Sequence, residues 1–203
     1  MNKLTTNLNK IGEKISKVNN AGNNESVCIS QLYDILPITQ NSMTKKGVKE
    51  VAILLHDIRS THNVGSIFRT SDALGVNKIY LSGYTPTPID KYGRARKDIA
   101  KVALGAEKDI SWEYLDDSVK TIKKLKKEGY QVIVVEQDNK SVDYKKVKIV
   151  YPVLFVVGNE VDGVDKKVLS LCDIVAEIPM MGKKESLNVS VAFGVALSRM
   201  LGI

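Results

Sequence analysis

Cysteine and histidine are scarce in this sequence, two of each among 203 residues. Cys28 and Cys172 lie far apart without C-x-x-C spacing, so they form neither a disulfide framework nor a zinc site, and free thiols in a reducing compartment are expected. His56 and His62 are too few for H-E-x-x-H or any other metal spacing, and no metal is expected. They also leave little from which to build a Ser or Cys triad; His56, at a strand end, reads as a satisfied structural histidine rather than a base. No apolar run approaches the roughly 18 residues of a membrane span. The N-terminal stretch MNKLTTNLNKIGEKISKVNN is broken by Lys and Asn and has no apolar signal core, so a cytoplasmic protein is expected. Neither G-x-G-x-x-G after the first strand nor G-x-x-x-x-G-K-[ST] occurs, which removes the conventional dinucleotide fold and the P-loop.

What is present is a globular composition, 43% hydrophobic and 26% charged, on a length that suits one domain of ordinary size. Thirty Lys and Arg against twenty-three Asp and Glu give a net charge of +7. That excess favours a polyanion such as RNA as partner. Lysine-rich helices that only solvate the surface produce the same excess, and charge alone does not separate the two.

Residues 1–48, rich in Asn, Lys, Thr and Ser with one apolar patch from Leu32 to Ile38, read as an N-terminal extension, either partly disordered or a short docked helix. Residues 49–203 read as one α/β domain with a mainly parallel sheet flanked by helices. Short apolar runs predict strands at Val51–Leu55, Lys78–Leu81, Gln131–Glu136, Val153–Val157 and Ile174–Ile178, with Ile110–Tyr114 at an edge. Helical spacing predicts Ser66–Leu74 and a helix through Leu115, Val119, Ile122 and Leu125, opposed by lysines and ended at Gly129. The last helix, from Leu187 to Met200 with Ser186 as its cap, is apolar almost all round, which suggests packing on its own sheet and on a second subunit.

Three Gly- and Asn-bearing segments each follow a predicted strand, where α/β proteins place ligand sites. The first, His62-Asn63-Val64-Gly65-Ser66-Ile67-Phe68-Arg69-Thr70, opens a helix that Asn63 alone would cap. The second, Gly158-Asn159-Glu160-Val161-Asp162-Gly163, follows the strand LFVV, and its leading glycine admits a close backbone approach to a ligand or forms an ordinary turn. The third runs from Ile178-Pro179-Met180-Met181-Gly182 to Ser186-Leu187-Asn188-Val189-Ser190 and places Asn188 one turn inside a helix, where Asn is a poor helix former.

N-x-G-x-x-x-R-T, F-V-V-G-N-E-x-x-G-V and I-P-M-x-G-x-x-x-S-L-N-V-S-x-A, in this order from Val51 to Leu201, resemble the three motifs of the SpoU/TrmH family of RNA 2′-O-ribose methyltransferases. The resemblance implies a SPOUT-like α/β fold with a C-terminal deep trefoil knot, which sequence rules would otherwise exclude. It also implies a homodimer and S-adenosyl-L-methionine as cofactor, held by Gly158, Ile178, Met180, Ser186, Leu187 and Asn188, with Glu136 reaching the ribose hydroxyls. Arg69 is the catalytic arginine by resemblance. A guanidinium keeps its proton, so charge stabilisation at the 2′-oxygen and the adjacent phosphate suits it better than proton removal. Asn63 would orient the ribose or Arg69, Glu160 would hold Asn63 or Arg69, and Ser186 and Asn188 would shape the pocket near the methyl group. His62 is either a proton acceptor or a phosphate contact. The polar stretch Gly83–Lys97 offers Arg94, Arg96 and Lys97 for phosphates and Tyr84 and Tyr92 for bases, or is an ordinary surface loop. The expected reaction is methyl transfer to tRNA or rRNA, and the alternative is a knotted RNA-binding module without turnover.

Overall fold

The computed structural model describes residues 49–203. The extension assigned to residues 1–48, with Cys28 and the Leu32–Ile38 patch, lies outside the described residues.

The chain alternates strands and helices. In order they are β1 (Val51–His56), α1 (Thr61–Ala73), β2 (Lys78–Ser82), α2 (Lys97–Ala103), α3 (Ala106–Asp109), β3 (Ser111–Leu115), α4 (Ser118–Lys127), β4 (Gln131–Val135), β5 (Val142–Asp143), a 3₁₀ turn at Tyr144–Lys146, β6 (Val153–Val157), α5 (Lys166–Leu169), β7 (Ile174–Glu177) and α6 (Val189–Leu201). All seven strands pair in parallel in the order β3-β2-β1-β6-β4-β7-β5. Every residue of β1 and β6 is buried, which is why both read as unbroken apolar runs rather than alternating ones.

Alternation of side chains along the strands divides the core in two. Ile53, Leu55, Ile79, Leu81, Ile133 and Phe155 face one way, onto Ile67 and Phe68 of α1 and Phe193 and Leu197 of α6. Ala52, Leu54, Tyr80, Val132, Leu154 and Val156 face the other way, onto Ile122 and Leu125 of α4 and Val168 of α5. β2 and β3 step outward on one side of β1, and β6, β4, β7 and β5 lie on its other side. The direction of winding therefore reverses between β1 and β6. In a parallel sheet this opens a crevice at the C-terminal strand ends, and all three motifs lie there.

Several boundaries differ from the sequence expectation. α1 begins at Thr61, five residues before Ser66, because Ser60 caps it by accepting the Asn63 N–H. Asn63 is thus inside the first turn and is not the cap. The reverse holds for α6, where Asn188 is the cap, accepting the Ser190 N–H, and the helix starts at Val189. Ser186 does not cap it, and Asn188 is not an interior residue. Helices α2, α3 and α5 and the short outer strand β5 have no counterpart in the periodicity reading. The edge strand expected near Ile110–Tyr114 is β3, one residue later.

α6 buries Phe193, Ala196 and Leu197 against the core but leaves Val191 and Val195 half exposed. No helix among the described residues is long and apolar enough to cross a membrane, and no group of three metal-ligating side chains occurs among them.

Candidate active site

The site is built from the loop after β6 outward. Gly158, Asn159 and Gly163 form a tight turn closed by two backbone hydrogen bonds, Asn159 N–H to Gly163 O (3.0 Å) and Gly163 N–H to Asn159 O (3.1 Å). A Cβ on Gly158 would stand 2.6 Å from the Gly163 carbonyl carbon and oxygen. The close approach that this glycine permits is therefore to the chain's own backbone. Gly65 of the first motif has a similar role, since a Cβ there would meet the Ile99 carbonyl at 2.8 Å where α1 crosses α2.

The turn projects Glu160 toward α1. Its carboxylate accepts the backbone N–H groups of Arg59 (3.0 Å) and Ser60 (3.2 Å) and the Asn63 side-chain amide (2.7 Å). Partial burial pushes this carboxyl up, but the bonds from Arg59, Asn63 and Ser60 outweigh burial and hold it below the usual glutamate range. An ionised Glu160 only accepts, so Asn63 must present its NH₂ there and its carbonyl oxygen elsewhere. That oxygen accepts from the Asn188 amide NH₂ at 3.1 Å. Asn188 in turn has its own oxygen free for the Ser190 N–H (2.9 Å) and hydroxyl (2.7 Å). One directed chain thus runs Ser190, Asn188, Asn63, Glu160, and joins the three motifs across sequence separations of 125 and 97 residues. Of the two partners left open for Glu160, the structure selects Asn63 over Arg69.

Beside this chain lies a cavity of about 330 Å³ lined by Gly158, Ile178, Met180, Ser186, Leu187 and Asn188, with Glu136 and Gln137 on its β4 side. Every residue assigned by resemblance to the cofactor lines it. Gln137 was missed by sequence reasoning; its side-chain amide donates to the Glu185 carbonyl at 2.8 Å and ties the loop after β4 to the long loop after β7. A larger groove of about 810 Å³ runs along β7 past Lys140, Lys146, Lys166 and Cys172, away from all three motifs.

Arg69 and His62 are both exposed on α1, seven residues apart and hence on one stripe of the helix, open to an incoming ligand. Arg94 is paired with Asp90 at 2.9 Å and stacks on Tyr92. Lys97 opens α2 and Arg96 is its N-terminal flanking residue. These three cations border the segment after β2, which is a loop up to Arg96, tightened by an Ile89–Ala95 bridge. His56 is the structural histidine expected, buried between the Ser82 hydroxyl and the Asp165 carboxylate, both at 2.8 Å. Asp57, next to it, takes a left-handed backbone (φ 58°) at the end of β1. Asn159 was read only as part of a motif. In the structure it is buried, donates to the Asp57 carbonyl (2.9 Å) and to the Tyr84 hydroxyl, and accepts from Val161 and Asp162.

The comparisons with known proteins point to one family. Residues 50–198 match the family model described as the SpoU rRNA Methylase family. The chain is 32% identical over 153 residues to a tRNA (guanosine(18)-2′-O)-methyltransferase of Aquifex aeolicus, covering 75% of this chain and 69% of that one. It is 32% identical over 146 residues to a 23S rRNA (guanosine-2′-O-)-methyltransferase of Neisseria meningitidis, covering 72% of this chain and 56% of that one. Among solved structures, the A. aeolicus TrmH/SpoU tRNA modifying enzyme superposes with a TM-score of 0.67 at 29% identity, covering 76% of this chain and 75% of that one. An AdoMet-bound rRNA methyltransferase from Sinorhizobium meliloti gives 0.67 at 28%, covering 74% of this chain and 55% of that one. Apart from the A. aeolicus protein, the chain spans little more than half the length of these relatives. With the ordered motifs, their hydrogen-bonded union and the family match all in one region, this chain belongs to the SpoU rRNA methylase family.

Proposed function

We propose that this chain transfers a methyl group from S-adenosyl-L-methionine to a ribose 2′-hydroxyl of tRNA or rRNA. The observation that carries the reading is the Asn188–Asn63–Glu160 chain beside the motif-lined cavity. It holds donors and acceptors from three distant segments in fixed order, with the exposed Arg69 on the same helix as Asn63, and a non-catalytic RNA-binding module has no need of that arrangement.

The cavity fits the cofactor's chemistry. Ile178, Met180 and Leu187 supply apolar walls for a purine, the backbone around Gly158 brings amide and carbonyl groups to the edge, and Glu136 offers a carboxylate to a ribose diol. When bound there, the cofactor supplies an electrophilic methyl on a sulfonium, and no metal is required. The protein's own share is positioning and charge. Asn63, locked by Glu160 and Asn188, cannot rotate and so offers the acceptor ribose a fixed edge. Arg69 stays protonated and stabilises the charge that develops on the 2′-oxygen and on the neighbouring phosphate. His62, on the same stripe, accepts the proton or contacts phosphate. Ser186 and Asn188 shape the wall where the methyl would lie. Arg94, Arg96 and Lys97 follow the RNA backbone, which the net charge of +7 also favours.

Three further features complete the reading. The half-exposed Val191 and Val195 on α6 support a homodimer through that face. The contact between Gln137 and Glu185 and the family likeness support a knotted passage of the segment after β7. The sequence supports a cytoplasmic enzyme with residues 1–48 as an extension to the 49–203 domain.

The test is nucleoside mass spectrometry of undermodified tRNA and rRNA, separated by size, after incubation with S-adenosyl-L-methionine and wild-type or Arg69→Ala protein. A 2′-O-methylnucleoside is expected with wild type, and a drop of about 10²–10³ in rate with the variant. Cofactor binding without any methylated nucleoside would overturn the reading.

A further inference from the structure

Tyr84 is a solvent-facing aromatic that the fold has immobilised. The residue is 56% exposed, and an exposed aromatic alone would mean nothing. Here, however, the residues on both sides of the β2 exit are pinned. The Tyr84 N–H donates to the Asp57 carboxylate at 3.1 Å, and its hydroxyl accepts from the buried amide of Asn159. The preceding Gly83 carbonyl accepts the Tyr114 hydroxyl at 2.6 Å. The following Thr85 hydroxyl donates to the Leu55 carbonyl (3.1 Å) and accepts the Ile58 N–H (3.0 Å). Asn159 precedes Glu160, which holds Asn63, so the ring is anchored one residue from the catalytic hydrogen-bond chain. Desolvation, with the carboxylates of Asp57 and Asp162, pushes its phenol above the ordinary tyrosine range.

Tyr92, the other exposed tyrosine of the same loop, also has its backbone N–H held by a carboxylate, that of Asp90 at 2.8 Å, but its hydroxyl has no hydrogen-bond partner among the described residues. It sits at the tip between Asp90 and Arg94, and the cations of Lys91 and Arg94 lie 5.0 and 4.9 Å from its ring centroid. No cation occupies the Tyr84 ring among the described residues.

We propose that Tyr84 is the stacking platform for a nucleobase next to the acceptor ribose. The inference rests on the reading of the site as an RNA 2′-O-methyltransferase. A base has a flat apolar face that stacks on a fixed ring without further ordering of the protein, since the ring's freedom is already lost to its anchors. Because stacking is tolerant of base identity, Tyr84 contributes RNA affinity and register rather than choice of sequence.

The experiment uses full-length protein and unmodified tRNA or rRNA transcripts, with KM for RNA and kcat from methyl incorporation, cofactor Kd by calorimetry and RNA Kd by filter binding. Tyr84→Ala is expected to raise KM and RNA Kd roughly 10- to 100-fold with cofactor Kd within about twofold. Tyr84→Phe and Tyr84→Trp, which keep a ring, are expected to restore most of the loss. Equal damage from Tyr84→Phe and Tyr84→Ala would assign the effect to the hydroxyl anchor and overturn the proposal, as would a parallel loss of cofactor binding. If Tyr84→Ala binds and methylates RNA like wild type, the platform is wrong and the enzyme reading stands. If wild type binds RNA without turnover and Tyr84→Ala loses that binding, the platform stands and the activity reading fails.

Discussion

The β1–β6 ladder and the loops at its C-terminal end are separated by one or two residues, yet opposite physics holds them. Val153–Val157 is buried at every position and its backbone is paired on both sides, to β1 and to β4. Almost any apolar side chain of the right volume would satisfy such a strand. One residue later, the chain enters a turn where Gly158 has no room for a Cβ, the Asn159 side chain makes four hydrogen bonds and the Glu160 carboxylate accepts three. Packing tolerates substitution because it is non-directional; the loop does not, because the side-chain polar atoms of Asn159 and Glu160 each have a named partner and a fixed donor or acceptor role.

The sharpest way to break the comparison is a large cavity in the ladder. Phe155 is fully buried at the centre of β6, and Phe155→Ala is expected to cost about 3–5 kcal/mol of unfolding free energy. Chemical denaturation should show this as a lower midpoint. The fraction still folded should methylate RNA at the wild-type rate, because no atom of Phe155 belongs to the cavity or to the hydrogen-bond chain. A comparable fall in kcat would show that core and site are coupled.

Glu160→Gln tests the loop side. The variant keeps the shape but brings an NH₂ group toward the donors from Arg59, Ser60 and Asn63, and one acceptor position is lost. A cost of about 1–2 kcal/mol at neutral pH is expected, with a larger proportional loss of kcat as Asn63 is freed to rotate. The pH dependence fixes the cause. Glu160 has a folded pKa below the ordinary value of 4.5. Its contribution is thus complete above that value and is lost as pH falls through the folded one. The stability gap between wild type and Glu160→Gln should therefore close in acid. A gap that stays constant with pH would show that the carboxylate charge is not what holds the loop.

How far the sequence could be read follows the same division. β1, β4 and β6 were visible because burial on both faces produces apolar runs, β7 because Ile174, Val175 and Ala176 form a short apolar run packed on the core, and period-2 or 3.6 patterns record burial directly. Helices α3 and α5 have four residues each and β5 has two, too few for any period to register. The start of α1 was misplaced because Ser60 and Asn63 are both good caps, and tertiary contact chose between them: Glu160 bonds the Ser60 N–H and draws Asn63 into the first turn. The motif residues were legible by resemblance, but their connections were not, since nothing local joins Asn63 to Asn188 or Tyr84 to Asn159. Asp57 carried a faint signal. Aspartate is among the few side chains that accept a left-handed backbone, and it stands where the first strand must end.

The smallest expected effect is the most discriminating, because Asn188 belongs to both regimes at once. Its carbonyl oxygen caps α6 through the Ser190 N–H, a local stabilising contact, while its NH₂ bonds Asn63 across the site. Asn188→Ala removes both and is expected to lower stability by about 1 kcal/mol through loss of the cap. Asn188→Ser keeps a hydroxyl acceptor at the cap but cannot reach Asn63 as an amide does. Thermal unfolding should place Asn188→Ser near wild type and Asn188→Ala below it, while methyl transfer should be impaired in both to a similar degree. Stability would then follow the cap and turnover would follow the bond to Asn63. If Asn188→Ser recovers activity along with stability, the Asn188–Asn63 bond contributes nothing beyond holding the helix end, and the chain linking the three motifs is structural.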